Sequence, residues 1–81
     1  MNAYDEGNRS SDFDYFVKNY QGLFKHYGHK FLAIKNQVVL GAFDSVADAI
    51  NELSGTYGLG TYIIQECTGD TSAYTATMSN L

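Results

Sequence analysis

The chain has 81 residues and a mass of 9.0 kDa, with 44% hydrophobic and 17% charged residues, twelve aromatics and a net charge of −4. That length accommodates one domain, the balance is that of a folding globular chain and not a disordered one, and no apolar run approaches the ~20 residues of a membrane helix. Met1 is followed by Asn2, Asp5 and Glu6, which does not read as a secretory leader, and the single cysteine, Cys67, makes no internal disulfide and suits a reducing, cytoplasmic setting.

Residues 1–10 are polar and without period, and read as a disordered leader to a single α+β domain over 11–81. Ser11 with Asp14 three residues on is a capping-box pattern, and Phe13, Phe16, Val17, Tyr20, Phe24 and Tyr27 then fall on one helical stripe. The expectation is a helix over about 12–27, weakened at Gly22 and closed by Gly28 in a left-handed position. Lys30 to Lys35, with Phe31, Leu32, Ala33 and Ile34 all apolar, reads as a strand covered on one face and partly on the other. Asn36-Gln37 is a tight hairpin turn in which Asn suits positive φ and Gln is a poor substitute for Gly. Val38 to Phe43 is the return strand, with Gly41 marking a bulge or a close helix approach.

Ser45 with Asp48 opens a second helix along Val46, Ala49, Ile50, Leu53 and Tyr57, ending at Gly55 or Gly58. Thr61 to Cys67 is a β-branched strand with Tyr62 and Ile64 on one side and Ile63 on the other. After a polar loop, Ala73 to Ser79 alternates as a half-buried outer strand. The order α-β-β-α-β-β implies helices packed on one face of a three- to four-stranded mixed sheet, the second and third strands being parallel.

The middle of the chain carries a recognisable pattern: Tyr27-Gly28-His29-Lys30-Phe31-Leu32-Ala33-Ile34-Lys35-Asn36, then Val39-Leu40-Gly41-Ala42-Phe43-Asp44-Ser45, then Tyr57-Gly58-Leu59-Gly60-Thr61-Tyr62-Ile63-Ile64-Gln65-Glu66-Cys67. It resembles a family of small bacterial proteins designated a domain of unknown function, over roughly residues 13–80. Phe13-Asp14-Tyr15-Phe16 and Ala73-Tyr74-Thr75-Ala76-Thr77 fit the same pattern. Genes of that family lie beside those of retropepsin-like aspartic proteases, so the resemblance implies a shared pathway. It implies no activity, substrate or cofactor.

Charge is segregated. Residues 1–17 carry −3, residues 18–35 carry +4 through Lys18, Lys25, Lys30 and Lys35, and residues 36–81 carry −5 with no Lys or Arg. The lysine stretch, interleaved with Tyr20, Phe24, Tyr27 and Phe31, is a possible basic patch for nucleic acid, but four lysines neutralise few phosphates, and a solvated face answered by acids is the plainer reading.

His26 and His29 have metal-ligand spacing and no third ligand, with Gly28 breaking the helix between them. Cys67 beside Glu66 is a packed thiol, since a carboxylate raises a thiol pKa. Asp12 and Asp14 are explained by a helix start, Asp44-Ser45 by a strand-to-helix junction, and Tyr57-Gly58-Leu59-Gly60 by a helix end instead of a phosphate loop. No catalytic residue, metal or cofactor is therefore expected. Two classes of function remain: a non-enzymatic interaction module that self-associates as a dimer through its sheet, with Val38, Leu40, Tyr62 and Tyr74 as the interaction surface, and an acidic inhibitor or nucleic-acid mimic that binds a basic groove of another protein.

Overall fold

The computed structural model describes residues 4–69. Its elements are α1 (Glu6–Tyr27), β1 (Lys30–Lys35), β2 (Val38–Phe43), α2 (Val46–Leu53) and β3 (Ile63–Cys67). The outer strand expected over 73–79 lies outside the described residues.

Helix α1 starts earlier than Ser11. Its N-cap is Asp5, whose carboxylate accepts from the Asn8 N–H at 3.1 Å while the Asn8 side-chain carbonyl accepts from the Asp5 N–H at 2.9 Å. This reciprocal box satisfies two otherwise unpaired donors, with Glu6 favourably placed in the first turn. The stretch expected as a leader thus supplies the cap and first turn of the helix from residue 5 onward. At the other end Gly28 has the expected positive φ, 78°, but its ψ of −159° lies outside the left-handed helical region expected for it, and its N–H donates to the Phe24 carbonyl at 2.8 Å. Gly22 lies inside the continuous helix, with open space where a Cβ would stand.

The buried stripe of α1 is Asp12, Phe16 and Leu23, rotated from the expected one so that Phe24 is more than a third exposed. Asp12 is only 1% exposed. Its two carboxylate oxygens accept from the Asn36 N–H at 3.1 Å and the Gln37 N–H at 2.7 Å, and the Tyr4 hydroxyl donates to it as well. Asn36 and Gln37 sit at φ 53° and 62°, the doubly left-handed pair a two-residue hairpin turn requires. That conformation turns two successive amides outward, and the carboxylate of α1 fills the concavity they make.

The sheet order is β2-β1-β3 with both pairings antiparallel. The described sheet is therefore not mixed: β2 and β3 do run in the same direction, but β1 lies between them, because α2 carries the chain across the hairpin to its far side. Nor do the helices share a face. Leu32 and Ile34 join Phe16, Leu23 and Cys67 under α1, whereas Ala33, between them in sequence, joins Leu53 of α2 and Tyr62. Alternation along a strand sends these neighbours to opposite faces, so the molecule is a helix-sheet-helix sandwich. All three central residues of β1 are fully buried, as a strand covered on both sides requires. The helices are also offset: α1 lies over β3 and β1, and α2 over β2 and β1.

Ser45 caps α2 as expected, accepting from the Asp48 N–H at 3.0 Å, and the helix ends at Leu53, before either glycine, in a turn where Thr56 and Tyr57 donate to the Leu53 carbonyl. Two outcomes follow from these caps and the Asp12 contact. Asp5→Ala lowers stability by about 1 kcal/mol while Ser11→Ala changes it by less than about 0.5, read as urea midpoints. Asp12→Ala strands two turn amides and a hydroxyl and lowers stability by about 3 kcal/mol in the same assay.

Candidate interaction surface

The residues expected to form an uncovered sheet face do not form one. Tyr62 is 5% exposed and packed with Leu53 and Ala33, and Leu40 is half-buried in the same cluster. Only Val38 stands in solvent, at 55% exposure, and Tyr74 lies outside the described residues. The reason is α2, which covers the face the one-sided arrangement would have left bare. Among the described residues the sheet is open only along its edges.

The edge made by β2 is unusual in composition. Its six residues, Val38-Val39-Leu40-Gly41-Ala42-Phe43, contain no charge. Edge strands are ordinarily blunted by lysine, proline or inward charges, since their unpaired amides and carbonyls template pairing with another chain. In place of a charge this edge carries a bulge: the register with β1 runs Ala33 to Gly41, then Ile34 to Val39, leaving Leu40 without its own partner on β1. The Phe43 ring lies back over Gly41, so that a Cβ there would come within 2.7 Å of it and the ring would have to shift.

The four lysines do not form one patch. Lys30 pairs with Asp44, and that partner holds the Asp44 carboxyl below its ordinary pKa. Lys35 donates to the Thr61 carbonyl at 2.8 Å and stands 4.9 Å over the Tyr4 ring, where Arg9 is also stacked at 5.5 Å. Burial, then the hydrogen bond to Asp12, push the Tyr4 hydroxyl pKa well up, so that it stays a donor. Lys18 and Lys25 remain exposed on α1. Lys18 lines a shallow cleft of about 260 Å³ with Ser11, Asp14, Tyr15, Asn19 and Gln37 beside the hairpin turn.

At the opposite end of β2 a second cleft, of about 380 Å³, is bordered by Lys30, Ala42, Phe43, Asp44, Asp48, Asn51 and Glu52. Its acids exceed its single lysine, so its field is negative.

The remaining candidates are separate from one another. His29 meets Glu66 at 2.8 Å on the surface, and His26 stacks edge-on against Tyr27. Cys67 is fully buried, and burial raises its thiol pKa, which opposes thiolate formation. Asp12 and Asp14 are not a pair, the first being buried against the turn and the second exposed. Among the described residues no group of three or more His, Cys, Asp or Glu side chains is arranged to hold a metal ion, and no helix is long and apolar enough to cross a membrane.

No family profile, curated protein or solved structure matches this chain. With Lys30 and Lys35 engaged internally, the expected outcome of anisotropy titrations with single-stranded DNA, duplex DNA and RNA at 150 mM salt is no saturable binding tighter than about 1 μM. Tighter binding that is lost on charge reversal of Lys18 and Lys25 would make α1 a nucleic-acid surface.

Proposed function

We propose that this chain is a non-enzymatic interaction module that meets another polypeptide along the edge of β2, which no strand of the described residues covers. The observation that carries this reading is an uncharged six-residue edge strand whose Val38 is 55% exposed, in a sheet whose faces are already covered by helices. An extended segment added to such an edge gains main-chain hydrogen bonds along its length, while alternate side chains meet the flanking helices. A role in a pathway shared with a retropepsin-like protease is compatible with this reading and adds no chemistry to it.

The acidic cleft beside Phe43 favours a second reading, an inhibitor or mimic seated in a basic groove, in which Asp48 and Glu52 of α2 make the contact. Charge reversal at those two positions separates the readings. Val38→Lys places a charge on the edge at a position open enough to leave folding stability within about 0.5 kcal/mol of the parent. Immobilised parent and Val38→Lys chains exposed to extract of the source cell are expected to differ in the proteins they retain. Equal retention, with loss on Asp48→Lys and Glu52→Lys, establishes the acidic mimic instead.

A further inference from the structure

Resting on the edge reading above, we infer that the occupant of the β2 edge is a second copy of this chain, paired antiparallel about a two-fold axis between Leu40 and Gly41. The argument begins with the bulge. In a hairpin closed by two residues, Lys35 and Val38 exchange both main-chain bonds, so Val39 turns its N–H and C=O away from β1, and past the bulge Ala42 does the same. The groups open to a partner are therefore those of Val39 and Ala42.

Side chains follow a matching order. Val39 and Ala42 pack toward α1, while Leu40 and Phe43 pack toward α2. Gly41, opposite Ala33, and Val38, opposite Lys35, belong to the α2 side by register. Read from Val38 to Phe43, the faces run α2, α1, α2, α2, α1, α2, a sequence identical in both directions. A regular six-residue strand cannot have that property, since strict alternation gives its two ends opposite faces. The inserted Leu40 creates it.

An antiparallel pair centred between Leu40 and Gly41 then sets Val39 against Ala42 of the copy, each pair exchanging both of its open main-chain bonds. It sets Val38 against Phe43 on the α2 side. Leu40 of each chain faces Gly41 of the other, where it meets the Phe43 ring folded over that glycine, and the two bulges coincide in register. No face is inverted along the strand, as register in a covered sheet demands. A parallel pair would instead set Asp44 of one copy level with Asp44 of the other, like charge beside like. Counting the described strands, the product is a continuous six-stranded sheet with an isologous interface.

Sedimentation equilibrium of the parent chain tests this directly, with a species of about 18 kDa, twice the 9.0 kDa chain, expected as concentration rises toward 1 mM. A 9 kDa mass throughout a series reaching about 1 mM overturns it, since even a contact with a Kd of that order would be half assembled there. Geometry is read by mixing Val38→Cys with Phe43→Cys under mild oxidation. Those two positions form a pair without main-chain bonds, with Cα atoms about 4.5 Å apart, suited to a disulfide. The mixture is expected to yield a mixed disulfide dimer, and Val38→Cys alone is not. Equal cross-linking of Val38→Cys with itself overturns the antiparallel register. Should Phe43→Cys fail to fold, Val39→Cys with Ala42→Cys reads the same register. A chain that stays monomeric yet retains proteins in a Val38-dependent way refutes the self-pairing and keeps the edge reading. A monomer without such retention removes both.

Discussion

The carboxylate of Asp12 on the two amides of the β1-β2 turn is the constraint around which the described structure is arranged. A two-residue hairpin turn without glycine costs about 1–2 kcal/mol for each L-residue held left-handed, and Gln37 has no side-chain chemistry that eases it. The same turn aims two N–H groups at one point, where an unpaired pair of donors beneath a helix would cost more. A buried carboxylate has the complementary need, because ionised and without partners it could not be held at 1% exposure. Each half makes the other tolerable. The turn, and with it the register of β1 on β2, is fixed by a residue on α1 twenty-four positions earlier.

Further ties radiate from the same point. Tyr4 closes over Asp12, and its ring lies under both Arg9 and Lys35. Those two cations reach the carbonyls of Gly60 and Thr61, immediately before β3. The start of α1, the hairpin tip and the entry to the third strand are thus held together by hydrogen bonds to charged or shielded groups, which are stronger than neutral ones. The apolar core follows the same plan, with Phe16, one turn after Asp12, packed against Leu32 and Ile34. On the opposite face Ala33 leaves space for Leu53, so the shorter helix can approach the sheet closely.

Much of this was legible in the residues. Strands β1 and β2 have the boundaries their apolar runs imply, Ser45 caps α2, and Tyr62 and Ile64 face away from Ile63. What escaped has identifiable physical causes. The true cap of α1 uses Asn8 where the usual box has Glu or Gln, so polar residues 5–10 resembled a leader. Asp12 looked like a charge placed for the helix dipole, although it lies one turn before Phe16 and on the line through Leu23, a position that only an acid with dedicated donors can occupy. Gln37 at a turn position that prefers glycine was the other half of that signal. Coverage on both sheet faces was visible in Phe31-Leu32-Ala33-Ile34, since a strand with one wet face would have interrupted that run.

The segregation of charge acquires a different meaning once its members are placed. Of the four lysines between residues 18 and 35, two are bound to the body of the protein, one to Asp44 and one to a carbonyl next to β3. Among the described residues Asp48 and Glu52 of α2 are in no ion pair, and with Asp44 they outnumber Lys30, so the field near the Phe43 end of β2 is negative while the strand itself carries no charge. Two chains of net charge −4 repel at a distance, and salt shortens that repulsion to the ~10 Å scale at 0.1 M. Hydrogen bonds and apolar contacts along an uncharged edge are left in place by the same salt. The proposed association through β2 between like chains would therefore be strengthened as ionic strength rises, whereas docking of the α2 acids in a basic groove would be weakened, because there the attraction itself is what salt removes.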